Sequence, residues 1–156
     1  DEEYMGISNI INFEKNINNT STNYIGNTFN KISSTEKCKI KTRKYYSSPM
    51  GKMLHRKMIF EQKFNTNIST GEDGLFMANI SSNIKGVKKS SDNTIYYVRE
   101  RLGSLTRTEK PKVKEIKRLS FLLFLYSKML FSSDTEKIFI TTRILATLRH
   151  LGKALN

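Results

Sequence analysis

The chain has 156 residues, of which 27 are Lys or Arg and 14 are Asp or Glu, so its formal net charge is +13. Because 37% of the residues are hydrophobic, the chain can bury a core, which excludes a disordered polycation. One cysteine and two histidines exclude an internal disulfide framework and a four-ligand zinc site. The longest apolar run, residues 121–131, is too short to span a bilayer.

The positive charge is clustered. Nine basic and two acidic residues lie between positions 35 and 66, and ten basic and four acidic residues lie between positions 109 and 156. Two basic runs stand out: Lys37, Lys39, Lys41, Arg43 and Lys44, and then Lys110, Lys112, Lys114, Lys117 and Arg118. Such runs attract nucleic acid, an anionic membrane surface or the phosphates of a small substrate, and charge alone does not separate these partners.

In the first half of the chain, residues 7–13 lack helical periodicity and are predicted to form a strand. Residues 16–30 are rich in Asn, Thr and Ser, which indicates a loop with one short element near Tyr24. Residues 37–46 alternate between a basic face and a mixed face, which favours an edge strand or an extended arm. A short strand is predicted at residues 51–54, followed by a helical turn at 57–62.

The second half begins with the clearest helix signal. Thr70 and Asp73 have the spacing of a capping box, which predicts a helix with Thr70 as its N-cap that ends by Gly86. The β-branched and aromatic residues 93–98 predict a strand that delivers Arg99 and Arg101 on the same side. Two helices follow, one from Pro111 to about residue 131 and one from residue 133, whose apolar stripe comprises Ile140, Ile144, Leu148, Leu151 and Leu155.

Three motifs lie in order along the middle of the chain: SPMGKML at residues 48–54, GEDGLF at 71–76 and YYVRERLGSLTR at 96–107. Their order and spacing over residues 45–108 resemble the C-terminal half of a family 2 glycosyltransferase with the GT-A fold. Met50 departs from that family's pattern, which usually has an aromatic residue there. The fold expected is therefore α/β, with residues 1–108 forming the acceptor-side half of a partial GT-A-like mixed sheet with helices. Residues 109–156 are expected to form a basic amphipathic helical hairpin.

The resemblance implies an inverting sugar transferase in which Asp73 is the general base on the acceptor hydroxyl. Glu72 and Lys52 are implied to lie at the acceptor site, and the equal alternative for Lys52 is burial beside a structural carboxylate. Three arginines are implied to bind the diphosphate of the leaving nucleotide: Arg99, Arg101 and Arg107. The physical chemistry agrees, because guanidinium groups bind phosphate oxygens bidentately and a positioned carboxylate can take a proton from a hydroxyl. The alternative for Asp73 is that it only stabilises the positive end of its own helix.

The family's donor half, which ends in an Asp-x-Asp motif that binds Mg²⁺ or Mn²⁺ with the diphosphate, should precede this chain. Since the sequence begins at Asp1-Glu2-Glu3 without an initiator Met or a signal peptide, we expect a fragment of a longer protein. No metal site and no cofactor are expected within the fragment, and the fragment alone is expected not to transfer sugar. The resemblance places the full-length enzyme in the cytoplasm, with the inner face of the membrane as an option.

The partners implied by the resemblance are a nucleotide-sugar donor and a glycan or lipid-linked acceptor. Two other readings stay open. In the first, Tyr45, Tyr46, Tyr96 and Tyr97 stack on the bases of a nucleic acid, although no recognised nucleic-acid motif is present. In the second, the basic and apolar runs of the C-terminal helices dock on an anionic membrane. Their apolar stripe could equally pack on the α/β part or on a second copy of the chain.

Overall fold

The computed structural model describes residues 1–48, 50–101 and 111–156. Over these residues the chain is a mixed α/β protein with two small mixed sheets and six α-helices, the last two of which form a C-terminal pair. The predicted α/β class and the predicted C-terminal helical hairpin are both confirmed.

The first sheet has four strands, β1 (Tyr4–Ile7), β4 (Thr35–Glu36), β5 (Lys52–Met53) and β6 (Gly86–Lys89), in the order β4-β6-β1-β5. The two central strands, β1 and β6, run parallel, and both outer strands are antiparallel to their neighbours. Ile7 of β1 lies opposite Lys52 of β5. The predicted strand at residues 51–54 is thus confirmed, and β1 fixes the position of Lys52.

The second sheet joins β2 (Asn9–Phe13), β3 (Thr20–Thr22) and β7 (Ile95–Arg99) in the order β3-β2-β7, with β2 and β7 parallel. The single strand predicted at residues 7–13 is therefore divided between the two sheets. The division falls at Ser8, whose N–H donates to the Gly51 carbonyl oxygen at 2.8 Å. The predicted strand before Arg99 is confirmed.

The prediction of an edge strand or extended arm at residues 37–46 is wrong. This segment forms helix α2 (Lys39–Thr42) and a 3₁₀ turn (Tyr45–Ser47). Tyr45 and Tyr46 are both completely buried, together with Thr42 three residues earlier. Buried positions three and four residues apart fit a helical path, because a strand would have turned two consecutive side chains to opposite faces.

Three short helices lie in the middle of the fold: α1 (Gly26–Phe29), α3 (Arg56–Ile59) and α4 (Glu72–Asn79). The loop prediction for residues 16–30 missed β3, whereas the short element predicted near Tyr24 corresponds to α1. Helix α4 ends before Gly86 as predicted, but the predicted capping box is wrong. Its N-cap is Gly71, at φ +96°, which has no side chain to cap the helix.

The C-terminal pair consists of α5 (Lys112–Leu130) and α6 (Lys137–Leu155). Both helices contribute to the same buried core as the sheets, through Leu122 and Tyr126 of α5 and Phe139 and Ile140 of α6. The apolar stripe predicted for α6 is buried only at its beginning, since Leu148 and Leu155 are exposed. In the part of the chain that the structure describes, no helix is both long and apolar enough to cross a membrane.

Candidate functional site

A cavity of about 650 Å³ lies where the start of α4, the end of β7 and the middle of α6 meet. Asp73 and Gly74 of α4 line one side of it. Arg99 and Arg101 line it from β7 and the residues that follow, and Arg143 lines it from α6. The cavity therefore brings the predicted general base together with two of the three predicted diphosphate-binding arginines.

Two glycines allow helices α5 and α6 to approach the start of α4 closely. A Cβ on Gly71 would lie 2.9 Å from Cδ1 of Leu122, and a Cβ on Gly74 would lie 3.1 Å from the hydroxyl oxygen of Tyr126. Gly71 also adopts a left-handed backbone conformation that other residues rarely adopt. Arg118 of α5 reinforces the contact, because its Nη1 donates to the Thr70 carbonyl oxygen at 2.9 Å.

Asp73 is half-buried at the first turn of α4 and faces the cavity. Burial raises the pKa of its carboxyl, the negative charge of Glu72 raises it further, and the positive charge of Lys52 acts in the opposite direction. A carboxylate with a raised pKa holds a proton more readily, which makes it a better general base. The position of Asp73 is compatible with that role and also with interaction with the helix dipole.

Glu72, the first predicted acceptor-binding residue, does not line this cavity. Its side chain has one carboxylate oxygen, Oε2, that is buried and makes no hydrogen bond within the described part of the chain. The charge of Glu72 nevertheless reaches Asp73 and raises the pKa of that neighbour. Glu72 thus acts on the site through its charge, from outside the cavity.

Lys52, the second predicted acceptor-binding residue, also lies outside the cavity. Its ammonium group donates hydrogen bonds to the carbonyl oxygens of Tyr45 and Ser48, and Ser48 in turn lines the cavity. Burial lowers the pKa of Lys52 to about 7, while the carboxylate of Asp73 acts to raise it. The side chain thus connects the backbone of residues 45–48 to β5 by hydrogen bonds and places a cation near Asp73.

Arg99 and Arg101 are exposed at the end of β7 and just beyond it. Arg99 is tethered through its Nε, which donates to the Glu14 carbonyl oxygen at 3.3 Å. The remaining guanidinium N–H groups of these two residues make no hydrogen bond to other described residues. The third predicted diphosphate ligand, Arg107, lies outside the described residues, as does Pro49 of the first motif.

The cavity also contains residues that the sequence analysis did not identify. Asn23 donates to Oδ1 of Asn12 at 2.7 Å, and Asn12 donates to Oε1 of Glu100 at 2.6 Å. This chain of hydrogen bonds links the Asn-rich segment to the end of β7. Neither Asn was distinguishable from its many Asn neighbours in sequence, and Arg143 lies outside the three motifs.

The described residues contain no group of three His, Cys, Asp or Glu side chains that could hold a metal ion. Comparison with models of protein families, with curated proteins and with solved structures finds no match for this chain.

Proposed function

We propose that this cavity is the acceptor side of an inverting, nucleotide-sugar-dependent glycosyltransferase with a GT-A-like fold, and that Asp73 is its general base. The observation that supports the proposal is the placement of a half-buried carboxylate, Asp73, in one cavity with the guanidinium groups of Arg99 and Arg101. These are the residues that the motif order assigns to acceptor activation and to the diphosphate. Asp73 and Arg99 come from two different elements, α4 and β7, and are 26 residues apart in sequence.

The proposed reaction is a single displacement at the anomeric carbon of the donor sugar. Asp73 takes the proton from the acceptor hydroxyl as its oxygen forms the new glycosidic bond. The bond from the anomeric carbon to the diphosphate breaks, and the nucleoside diphosphate leaves with the electron pair. Arg99 and Arg101 stabilise the charge that develops on the leaving group. One displacement inverts the anomeric configuration, and Asp73 then releases its proton to water.

In the enzymes that the chain resembles, a divalent cation neutralises the diphosphate. The described residues contain no group of three His, Cys, Asp or Glu side chains that could hold such an ion. We assign that ion and the donor nucleotide to a preceding segment of a longer protein. In that protein the 156-residue chain forms the acceptor side of the active site.

The nucleic-acid reading loses part of its support in the structure. Tyr45 and Tyr46 are completely buried, so they are not available to stack on bases. Two members of the neighbouring basic run are also occupied, since Lys39 donates to the Ser81 carbonyl oxygen at 2.6 Å and Lys41 pairs with Glu36 at 3.2 Å. No observation favours this function over sugar transfer.

The experiment that tests the class of function uses the complete product of the gene that encodes this chain. It is incubated with a panel of UDP-, GDP- and dTDP-sugars, Mg²⁺ or Mn²⁺ and a mixture of glycan acceptors, and release of nucleoside diphosphate and formation of product are measured. Acceptor-dependent transfer from a nucleotide sugar supports the proposal. Absence of transfer from every donor contradicts it, and tight oligonucleotide binding that weakens steeply with salt would then favour the nucleic-acid reading.

A further inference from the structure

Arg143 lies in the candidate cavity but belongs to none of the motifs behind the proposed function. It is on the second turn of α6, a helix outside residues 45–108, and its guanidinium group lies over the ring of Tyr126 with 5.6 Å between the guanidinium carbon and the ring centroid. Its charge also acts on Tyr24, another residue of the cavity wall, whose pKa it lowers against the larger, raising effect of burial. Arg143 is thus a fixed positive charge in the cavity wall.

This cation has no anionic partner within the described chain. Arg143 makes no ion pair or hydrogen bond to any described residue, and its Nε is buried with no hydrogen-bond acceptor. By contrast, Arg118 on α5 has both, with a carboxylate at Glu115 and a carbonyl oxygen at Thr70. A half-buried guanidinium without an acceptor is costly, and an oxyanion in the cavity would supply one.

Arg143 packs against the first turn of α4, at Gly74. Its Nη2 lies only 3.3 Å from the point that a Cβ on Gly74 would occupy, and Gly74 directly follows Asp73. A larger residue at position 74 would press on both Arg143 and Tyr126. Arg99 and Arg101, by contrast, enter the cavity from the end of β7. Arg143 therefore lies beside the first turn of α4, next to the residue that follows the proposed general base, and lines the same cavity as Asp73.

We propose that Arg143 binds an acidic group, carboxylate or phosphate, of the sugar acceptor. The inference rests on the proposed function, because it takes the side of the cavity near Asp73 to be the acceptor side. The guanidinium fork matches either oxyanion with two parallel hydrogen bonds. The acceptor class is accordingly an acidic saccharide, such as a hexuronate or a phosphorylated sugar.

The test compares the affinities of the 156-residue chain for methyl glucuronide, glucose 6-phosphate and neutral methyl glucoside, measured by NMR titration. Hydrogen bonds to charged groups contribute about 1.5–3 kcal/mol, so we expect at least one acidic ligand to bind about tenfold tighter than the neutral one. Arg143→Met should abolish this ratio. Arg143→Lys should retain only part of it, because Lys keeps the charge but not the fork. Arg149→Met, at an exposed position on the same helix, is the matched control and should behave as wild type.

Equal binding of acidic and neutral ligands by the wild type, or an acidic preference that survives in Arg143→Met, contradicts the inference. Binding of UDP that depends on Arg143, without any preference for acidic sugars, contradicts it also, because Arg143 would then serve the donor. A purely structural role would lower the melting temperature of Arg143→Met without changing the ratio of affinities. Since these titrations do not involve proton transfer, their outcome is distinguishable from failure of Asp73 as the general base.

Discussion

Replacing Gly71 by alanine should destabilise the fold through the junction that positions Asp73. Gly71 has φ +96°, where an L-residue costs about 1–2 kcal/mol. The added Cβ would also lie 2.9 Å from Cδ1 of Leu122 and 3.3 Å from Nη1 of Arg118, and overpacking of this kind costs about 1–3 kcal/mol. The two effects together predict a loss of about 2–5 kcal/mol in the free energy of unfolding.

Urea denaturation followed by circular dichroism measures this loss, and thermal melting should show a fall of at least about 4 °C in Tm. Gly152→Ala is the matched control. Gly152 lies within α6 with no atom within 4 Å of its Cβ position, so alanine there should stabilise the protein by up to about 1 kcal/mol. If Gly71→Ala changes stability by less than about 0.5 kcal/mol, or in the same direction as the control, the described packing of α5 on α4 is refuted.

Two further predictions concern pH and membranes. Burial lowers the pKa of Lys52 to about 7 in the fold, whereas the pKa of a lysine in an unfolded chain is about 10.4. Between pH 7 and 10.4 the unfolded state therefore binds more protons than the folded state. The free energy of unfolding should rise with pH in this range by up to about 1.4 kcal/mol per pH unit. Urea titrations from pH 7 to 9.5 should show this slope for the wild type and not for Lys52→Met; equal slopes would refute the burial of the ammonium group. The membrane hypothesis relies on exposed apolar side chains next to basic ones, since Phe124 lies four residues before Lys128 on α5 and Phe131 directly follows this helix. It predicts co-sedimentation with phosphatidylglycerol vesicles at low salt that Phe124→Ser weakens. Absence of sedimentation at low salt removes that role.

The local sequence was sufficient to predict those helices and strands whose own residues strongly favour one type of secondary structure. The β-branched and aromatic run before Arg99 predicted β7, and Pro111 with the apolar periodicity after it predicted α5. These elements formed as predicted because the strand propensity of β7 and the amphipathic pattern of α5 are properties of their own residues.

Local signals failed where tertiary contacts decide the structure. Residues 37–46 alternate like a strand, yet burial of both Tyr45 and Tyr46 requires a helical path. Thr70 has the sequence of a capping residue, but the approach of α5 requires the left-handed glycine at position 71 as the start of α4. In both cases the deciding partners are distant in sequence, so the local pattern does not contain them.

The candidate site also contains residues that the sequence revealed and one residue that only the tertiary packing reveals. The order of the motifs was enough to associate Asp73 with Arg99 and Arg101, and the structure places all three around one cavity. Arg143 enters that cavity only because α6 packs against the start of α4, which no local pattern reveals. Lys52 was assigned to the acceptor site with burial near a carboxylate as the alternative, and its ammonium group donates to the carbonyl oxygens of Tyr45 and Ser48.

The most direct test of the proposed function is the rate of sugar transfer by the complete gene product with Asp73→Asn. Asparagine keeps the size of the side chain but cannot accept the proton, so kcat should fall by about 10²–10⁴-fold. Asp92→Asn, at a highly exposed carboxylate away from the cavity, should retain wild-type kcat. Wild-type transfer by Asp73→Asn would contradict the assignment of Asp73 as the general base.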